Sequence, residues 1–322
     1  AGLGLPHRTL RWGEAPGRGN LAAAARDARR ARLAETAREI GAGAVALGHT
    51  LDDRAETLLM RLARGSGLDG LAALREVSRR GGIRWLRPAL GLRREALRAA
   101  LRARGARWIE DPSNDDATRD RPRIRRALAA LDLDPARLAG AAERLAEDAD
   151  HLAAEALALA PRILALGPAG EIEIDRAGFA AAPRPLTRRL LARLLRDLAA
   201  AEHPPRAAAL ADWLDLIASG RTAPPRTLAG CVLDARRPGR ARLWREARAL
   251  PPPVPARPGA VWDGRWALGP PSPDSPEWPD GARLGPLGDG RAPAEAPAPF
   301  RRSPAGARRA APALFLGETL LA

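Results

Sequence analysis

The sequence predicts an α/β protein: a partial parallel sheet flanked by helices, then a helical domain, then a small Pro/Gly-rich C-terminal region containing β-structure. Three features predict it. Helix-forming and strand-length apolar segments alternate between Leu21 and Gly65, and long Ala/Leu/Arg/Glu stretches begin near Leu133. Pro251-Pro252-Pro253-Val254-Pro255 then makes a stiff linker. The expected divisions are 1–131, 132–250 and 251–322.

Ala1–Thr9 reads as the middle of a packed unit, with His7–Leu10 as an entering strand, and so predicts a truncated start. Asn20 is a good N-cap for a helix from Leu21 to about Ile40, which Gly41 and Gly43 end. Ala44–Leu47 is apolar and of strand length, and the polar run Gly48–Asp53 follows at once. Ala55, Leu58, Leu59 and Leu62 then fall at helical spacing, with a stop near Gly65. Ile83–Leu86 reads as another strand, Arg93–Arg104 as a helix closed by Gly105, and Arg107–Ile109 as an extended piece leading into the polar loop Glu110–Asp116. Helices are expected from Leu133 to about Leu166 and over Leu186–Ala218, where Leu190, Leu191, Leu194, Leu195 and Leu198 make an apolar stripe that belongs in a core. Short β pieces are expected around Trp262–Leu268 and Leu314–Leu321.

The composition narrows the function. The 53 basic residues are all arginine, and against 38 acidic ones they leave a net charge of +15. That excess points to a polyanionic partner, nucleic acid ahead of a membrane surface. The single cysteine, Cys231, excludes an intrachain disulfide and a cysteine-based zinc site. It suits a reducing cytoplasm, where the protein is expected to reside. No apolar stretch approaches the roughly 18–20 residues that cross a bilayer.

Chemistry concentrates in three places. In Gly48-His49-Thr50-Leu51-Asp52-Asp53-Arg54-Ala55-Glu56-Thr57, two adjacent carboxylates at a strand end, with Glu56 a helical turn on, can gather oxygen ligands for Mg²⁺. The same Asp53-x-x-Glu56 spacing also fits a helix cap with a reciprocal acid. In Arg61-Leu62-Ala63-Arg64-Gly65-Ser66-Gly67, a guanidinium beside a Gly-Ser-Gly turn can face a phosphate, and the turn can equally be a helix stop. Trp108–Asp116, followed by Arg119, Arg121, Arg123, Arg125 and Arg126, sets an acidic loop beside an arginine cluster. Such a pair can hold an ammonium group and RNA phosphate, or be a solvated turn before a basic helix.

Gly48–Leu71 resembles the signature of tRNA(Ile)-lysidine synthases, in which Gly/Ala-His-x-x-Asp-Asp-Gln-x-Glu-Thr precedes Arg-Gly-Ser-Gly. The resemblance continues at Arg87-Pro88 and Trp108–Asn114, with Arg26-Asp27-Ala28-Arg29 similar to an upstream Arg-x-Ala-Arg helix. Thr227–Cys231 is weakly similar to a downstream region of some members. Four motifs in the family's order, between Arg26 and Asn114, are far more specific than any one, and the resemblance covers Ala1 to about Leu131. There are departures. The family's Ser-Gly-Gly-x-Asp-Ser phosphate loop is not in this chain, Arg54 stands for Gln, Pro122 stands where Asn is common, and Thr50 is often His. Without that loop the chain as it stands is expected to hold the ATP pyrophosphate poorly.

The resemblance implies an N-type ATP-pyrophosphatase (adenine nucleotide α-hydrolase-like) fold. It implies ATP-dependent ligation of free L-lysine to the wobble cytidine of a tRNA(Ile) with a CAU anticodon, with ATP and Mg²⁺ required. On it, Asp52, Asp53 and Glu56 are candidates for holding Mg²⁺, Asp53 foremost, or for orienting the lysine amine. His49, Arg64, Gly65 and Ser66 would line the nucleotide site. Glu110, Asp111 and Asn114 would contact substrate, and Arg26, Arg29, Arg121, Arg123 and Arg125 would meet tRNA. The reading asks Asp53 and Arg64 to share a cavity. Two alternatives stand beside it: a non-catalytic tRNA-binding derivative, and an ATP-dependent tRNA thiolase, which the lone Cys231 disfavours.

Overall fold

The structure is a computed structural model and describes residues 4–13, 21–72, 74–109, 120–201, 205–270, 278–289 and 293–321. Asn20 and the polar loop Glu110–Asp116 lie outside these residues. The chain divides into two compact units, Ala1–Asp150 and His151–Ala322.

In the first unit, α1 (Leu21–Glu39) leads to β1 (Ala44–Ala46), α2 (Leu51–Leu62) and the single turn α3 (Leu68–Leu71). The strands β2 (Val77–Arg80) and β3 (Ile83–Leu86) follow, then α4 (Arg94–Ala103), α5 (Asp120–Ala130) and the start of α6 (Pro135–Ile163). β1 and β3 pair in parallel, Val45 opposite Trp85, and β2 is added antiparallel by a tight turn through Gly81 and Gly82. Both glycines have positive φ, so the turn needs residues without a Cβ penalty. The expected parallel pair is therefore present, carrying one antiparallel strand that the sequence reading did not include. His7–Leu10, expected as a strand, forms none, and neither does Arg107–Ile109. α1 lies on the sheet through Ala37, Ile83 and Trp85, with Leu33, Ala34, Val45 and Leu47 around them. Because β1 and β3 run the same way, both deliver the chain to one edge: Leu47 N–H still bonds Leu86 O at 2.8 Å, then His49 and Arg87 leave the sheet side by side in topology. Ligands of parallel α/β sheets bind beyond this edge.

The second unit holds the end of α6, β4 (Leu164–Leu166), β5 (Ile172–Asp175), α7 (Arg176–Ala181), α8 (Arg184–Leu198) and α9 (Ala207–Ala218). It continues with β6 (Ala223–Leu228), β7 (Cys231–Arg237) and β8 (Arg240–Arg245). The segment 132–250 thus contains the expected helices and, in addition, an antiparallel five-stranded sheet in the order β4-β5-β8-β7-β6. Leu190, Leu191, Leu195 and Leu198 of the α8 stripe are buried against Leu210, Trp213, Leu214 and Ile217 of α9 and the inner residues Cys231, Leu233, Ala235, Ala241 and Leu243 of the sheet. Beyond the proline linker come β9 (Val254–Pro255), β10 (Val261–Trp262), β11 (Trp266–Ala267), β12 (Ala282–Pro286), α10 (Ala298–Arg302), α11 (Ala305–Arg309), β13 (Pro312–Leu316) and β14 (Thr319–Leu320). They form the sheet β14-β13-β12-β9 and the hairpin β10-β11, around a core of Trp262, Leu284 and Leu314. Among the described residues no helix is long and apolar enough to cross a membrane.

Candidate functional site

The site is built where α2 begins. Thr50 is its N-cap, so the helix starts at Leu51 and not at Ala55, and Asp52, Asp53 and Glu56 are helical residues. The run expected to be a loop is the first turn of α2, because a capping box closes it. Asp53 Oδ2 accepts from Thr50 N–H and from the Thr50 hydroxyl, each at 2.8 Å. Asp53 N–H donates back to Thr50 Oγ1 at 3.4 Å. The capping partners are thus Thr50 and Asp53, not Asp53 and Glu56. Two acids in the first turn also complement the positive end of the helix dipole. Spacings of three and four residues put Glu56 on the same face as Asp53 and Asp52.

Arginines from α4 and α5 meet these three carboxylates. Arg94, at the start of α4, touches all of them: its backbone N–H bonds Asp52 Oδ2 at 2.6 Å, Nη2 bonds Asp53 Oδ1 at 3.2 Å, and Nη1 bonds Glu56 Oε1 at 3.3 Å. Arg93 Nε reaches Asp52 Oδ1 at 3.3 Å. From α5, Arg121 stands 3.6 Å from Asp53 Oδ1, and Arg125 Nε donates to Glu56 Oε1 at 2.6 Å. Pro122, in the first turn of α5 where its missing N–H costs little, is buried. Glu56 is 1% exposed, and its Oε2 is buried with no hydrogen-bond partner among the described residues.

Next to this cluster is a cavity of about 680 Å³ lined by Asp52, Glu56, Arg94 and Arg125. Leu128, Leu133 and Leu138 give it an apolar wall, and Asp132, Asp134 and Arg137 add charge. Acid, base and hydrocarbon together suit a small charged molecule with a methylene chain better than an apolar ligand.

Electrostatics follow from these contacts. Burial pushes the Asp53 carboxyl up, but the two Thr50 hydrogen bonds and the guanidiniums of Arg94 and Arg121 outweigh it and hold the group below its ordinary value. Burial holds His49 below the usual imidazole range, and Arg87, Arg121 and Arg30 add to this against the opposing pull of Asp53. His49 is thereby kept neutral, with a buried Nδ1 that has no partner among the described residues. Arg30, one residue past the motif, was not singled out from sequence; its proximity to His49 depends on how α1 crosses the sheet.

The three carboxylates do not fit a resident Mg²⁺ as they stand. Among the described residues no group of three or more His, Cys, Asp or Glu side chains could hold a metal ion. Both Asp53 oxygens are already engaged, by Thr50 on one side and by arginines on the other.

Other expected site residues are distributed as follows. Arg64 pairs with Asp120, the residue before Arg121, so Arg64 and Asp53 meet neighbouring positions of α5. Neither lines the cavity above, so the shared cavity expected of them is not this one; Asp53 lies in the first turn of α2 and Arg64 just past its C-terminal end. Gly65 ends α2 at a φ of +67°, and Ser66 N–H bonds Arg61 O at 3.0 Å, so this turn serves as a helix stop. Arg26 and Arg29 are exposed on α1, and Arg123 on α5. Arg121 and Arg125, expected to face RNA phosphate, are paired with Asp53 and Glu56. Glu110, Asp111 and Asn114 lie outside the described residues. Arg93 and Arg94 were missed. Their only sequence signal is a doubled arginine at a helix start, where the dipole disfavours a cation unless acids face it. Arg54, where Gln was expected, is 8% exposed and pairs with Glu143 of α6 at 3.5 Å.

A family model described as a PP-loop domain matches residues 1–131. A tRNA(Ile)-lysidine synthase of Ruegeria pomeroyi is 39% identical over 273 residues, covering 83% of this chain and 63% of that protein. One from Methylobacterium sp. strain 4-46 is 45% identical over 244 residues, covering 72% of this chain and 70% of that protein. One from Bradyrhizobium sp. strain BTAi1 is 51% identical over 146 residues, covering 44% and 40%. The chain spans 63% of the length of the first of these and 40% of the last.

Proposed function

Because the chain belongs to the tRNA(Ile)-lysidine synthase family, we propose that it takes part in ATP-dependent ligation of free L-lysine to the wobble cytidine of a tRNA(Ile). The cytosine C2 oxygen attacks the ATP α-phosphorus and pyrophosphate leaves. The lysine ε-amine then attacks C2, the C2–O bond breaks, AMP departs with that oxygen, and the amine loses its extra protons. Adenylation matters because it turns a poor leaving oxygen into a good one.

One observation supports the lysine half of this reading above the rest. Glu56 lines the cavity, gives Oε1 to two arginines and keeps a buried Oε2 without a partner among the described residues. A buried carboxylate oxygen is costly to leave unpaired, and an ammonium group satisfies it by a charge-assisted hydrogen bond. The leucines of the same cavity match lysine's methylenes. In this role Glu56 holds the ε-amine and receives its proton as it becomes a nucleophile. Neutral His49 and the arginines around it, beyond the carboxyl ends of β1 and β3, suit the polyphosphate of ATP, and exposed Arg26, Arg29 and Arg123 suit tRNA phosphates. No step is assigned to Mg²⁺ at Asp53. The net charge of +15 agrees with an RNA substrate.

The test is AMP release by the chain expressed with any coding sequence that continues in frame before Ala1. Release that requires both tRNA and lysine is the expected result. Tight tRNA binding with no AMP would favour the non-catalytic alternative, and turnover with a sulfur donor in place of lysine would favour the thiolase.

A further inference from the structure

We propose that Arg94 is the positioning residue of this site: it fixes the Glu56 carboxylate so that Oε1 is spent inside the protein and Oε2 is kept for the substrate's ammonium group. The inference rests on the reading of Glu56 as the lysine acceptor and goes beyond it, since the family motif carries Glu56 but says nothing of what aims it.

The argument is geometric. A carboxylate on a free χ3 torsion is two-fold and broad, so an unrestrained glutamate presents either oxygen. Here Arg94 Nη1 and Arg125 Nε converge on the same oxygen, Oε1, at 3.3 and 2.6 Å. Arg94 is held from behind. Its backbone N–H is bonded to Asp52 Oδ2 at 2.6 Å, and its other guanidinium nitrogen is bonded to Asp53 Oδ1 at 3.2 Å. Asp53 in turn is fixed by the Thr50 cap. The loop before α4 is docked too: Leu51 N–H donates to Leu92 O at 2.9 Å. A planar fork with two parallel donor positions can serve Asp53 and Glu56 together, and a lysine's point charge cannot. Arg94 therefore transmits the rigidity of the α2 cap to the carboxylate of Glu56, and both residues line the cavity.

The test uses Arg94→Lys and Arg94→Ala in the full-length protein, with lysine and ATP varied separately. The expected result is a KM for lysine raised about 10- to 100-fold, the worth of one or two charge-assisted hydrogen bonds. The KM for ATP stays unchanged, and added guanidinium ion restores Arg94→Ala towards the parent. Arg94→Lys keeps the charge and the backbone bond to Asp52, so it provides a folded variant should Arg94→Ala unfold. A lysine KM unchanged in Arg94→Lys, or a folded Arg94→Ala that guanidinium does not rescue, overturns the proposal. Parent enzyme without lysine-dependent turnover overturns the ligase reading, and this proposal with it.

Discussion

Asp53 Oδ2 accepts two hydrogen bonds from Thr50, one from its backbone N–H and one from its hydroxyl, both at 2.8 Å. The residue whose motif suggests a metal ligand is thus also the reciprocal cap of α2. Removing its charge should tell in stability as well as in turnover. Asp53→Asn is expected to destabilise the first unit by roughly 1–3 kcal/mol at pH 7. The sign of the pH dependence follows from the depressed pKa. Above the ordinary value of 3.8 the ionised group contributes its full stabilisation, and that contribution is lost as pH falls through the lower folded-state value. Urea unfolding of parent and variant should therefore differ most at neutral pH and converge in acid. A constant gap down to acid pH would refute this account.

Thr50→Ala removes the hydroxyl and leaves the backbone N–H bond. A loss of about 1 kcal/mol is expected, with Thr50→Ser close to the parent, because serine keeps the hydroxyl and caps well. Thermal unfolding of the two variants side by side makes the comparison.

Glu56→Gln keeps shape but offers its amide group where Oε2 carried charge. Lysine binding, read by calorimetry, should weaken about tenfold or more, while tRNA affinity stays at the parent value. Equal loss of both would point to a collapse of α5, which Arg125 ties to Glu56.

In the second unit Arg176 is 2% exposed, and its guanidinium is taken up by four backbone carbonyls. Nε donates to Ile217 O at 3.1 Å, Nη1 to Arg237 O at 3.2 Å, and Nη2 to Leu216 O at 2.6 Å and Arg221 O at 2.8 Å. Two of these carbonyls end α9, where a cation is favoured. Arg176→Met strands them, and a loss of about 3 kcal/mol is expected from the unfolding midpoint.

Cys231 is fully buried, and desolvation raises its thiol to about 11 despite the nearby Arg245 and Arg265. At pH 8 only about one thiol in a thousand would be ionised, even when reached by reagent. Alkylation of the native protein should be slow and should accelerate on unfolding. Rapid native-state labelling would contradict the packing of β7.

How far the sequence reaches differs between elements, for a physical reason in each case. Helices α1 and α4 and strand β3 were legible because a 3.6-residue or short apolar pattern is local and their glycine stops sit beside them. The start of α2 was misjudged by a turn: Thr50 read as part of a loop, and only its bond to Asp53 shows that it is a cap. β7 carries an inside–outside alternation at Cys231, Leu233 and Ala235. The alternation is short and lies among alanines and arginines that favour helix, so partner strands on both sides were needed to make it a sheet.

The sequence by itself determined where the charged residues of the first unit gather: Asp52, Asp53, Glu56 and His49 stand in one motif, at a strand end, with arginines available. What each of them faces was decided only by the tertiary fold. Arg94, Arg121 and Arg125 are remote from Glu56 in the chain, and charge recognises charge through space without leaving a period or spacing behind. The packing of α4 and α5 on α2 turned three carboxylates that could have gathered a cation into three carboxylates held by guanidinium groups, with one buried oxygen left over.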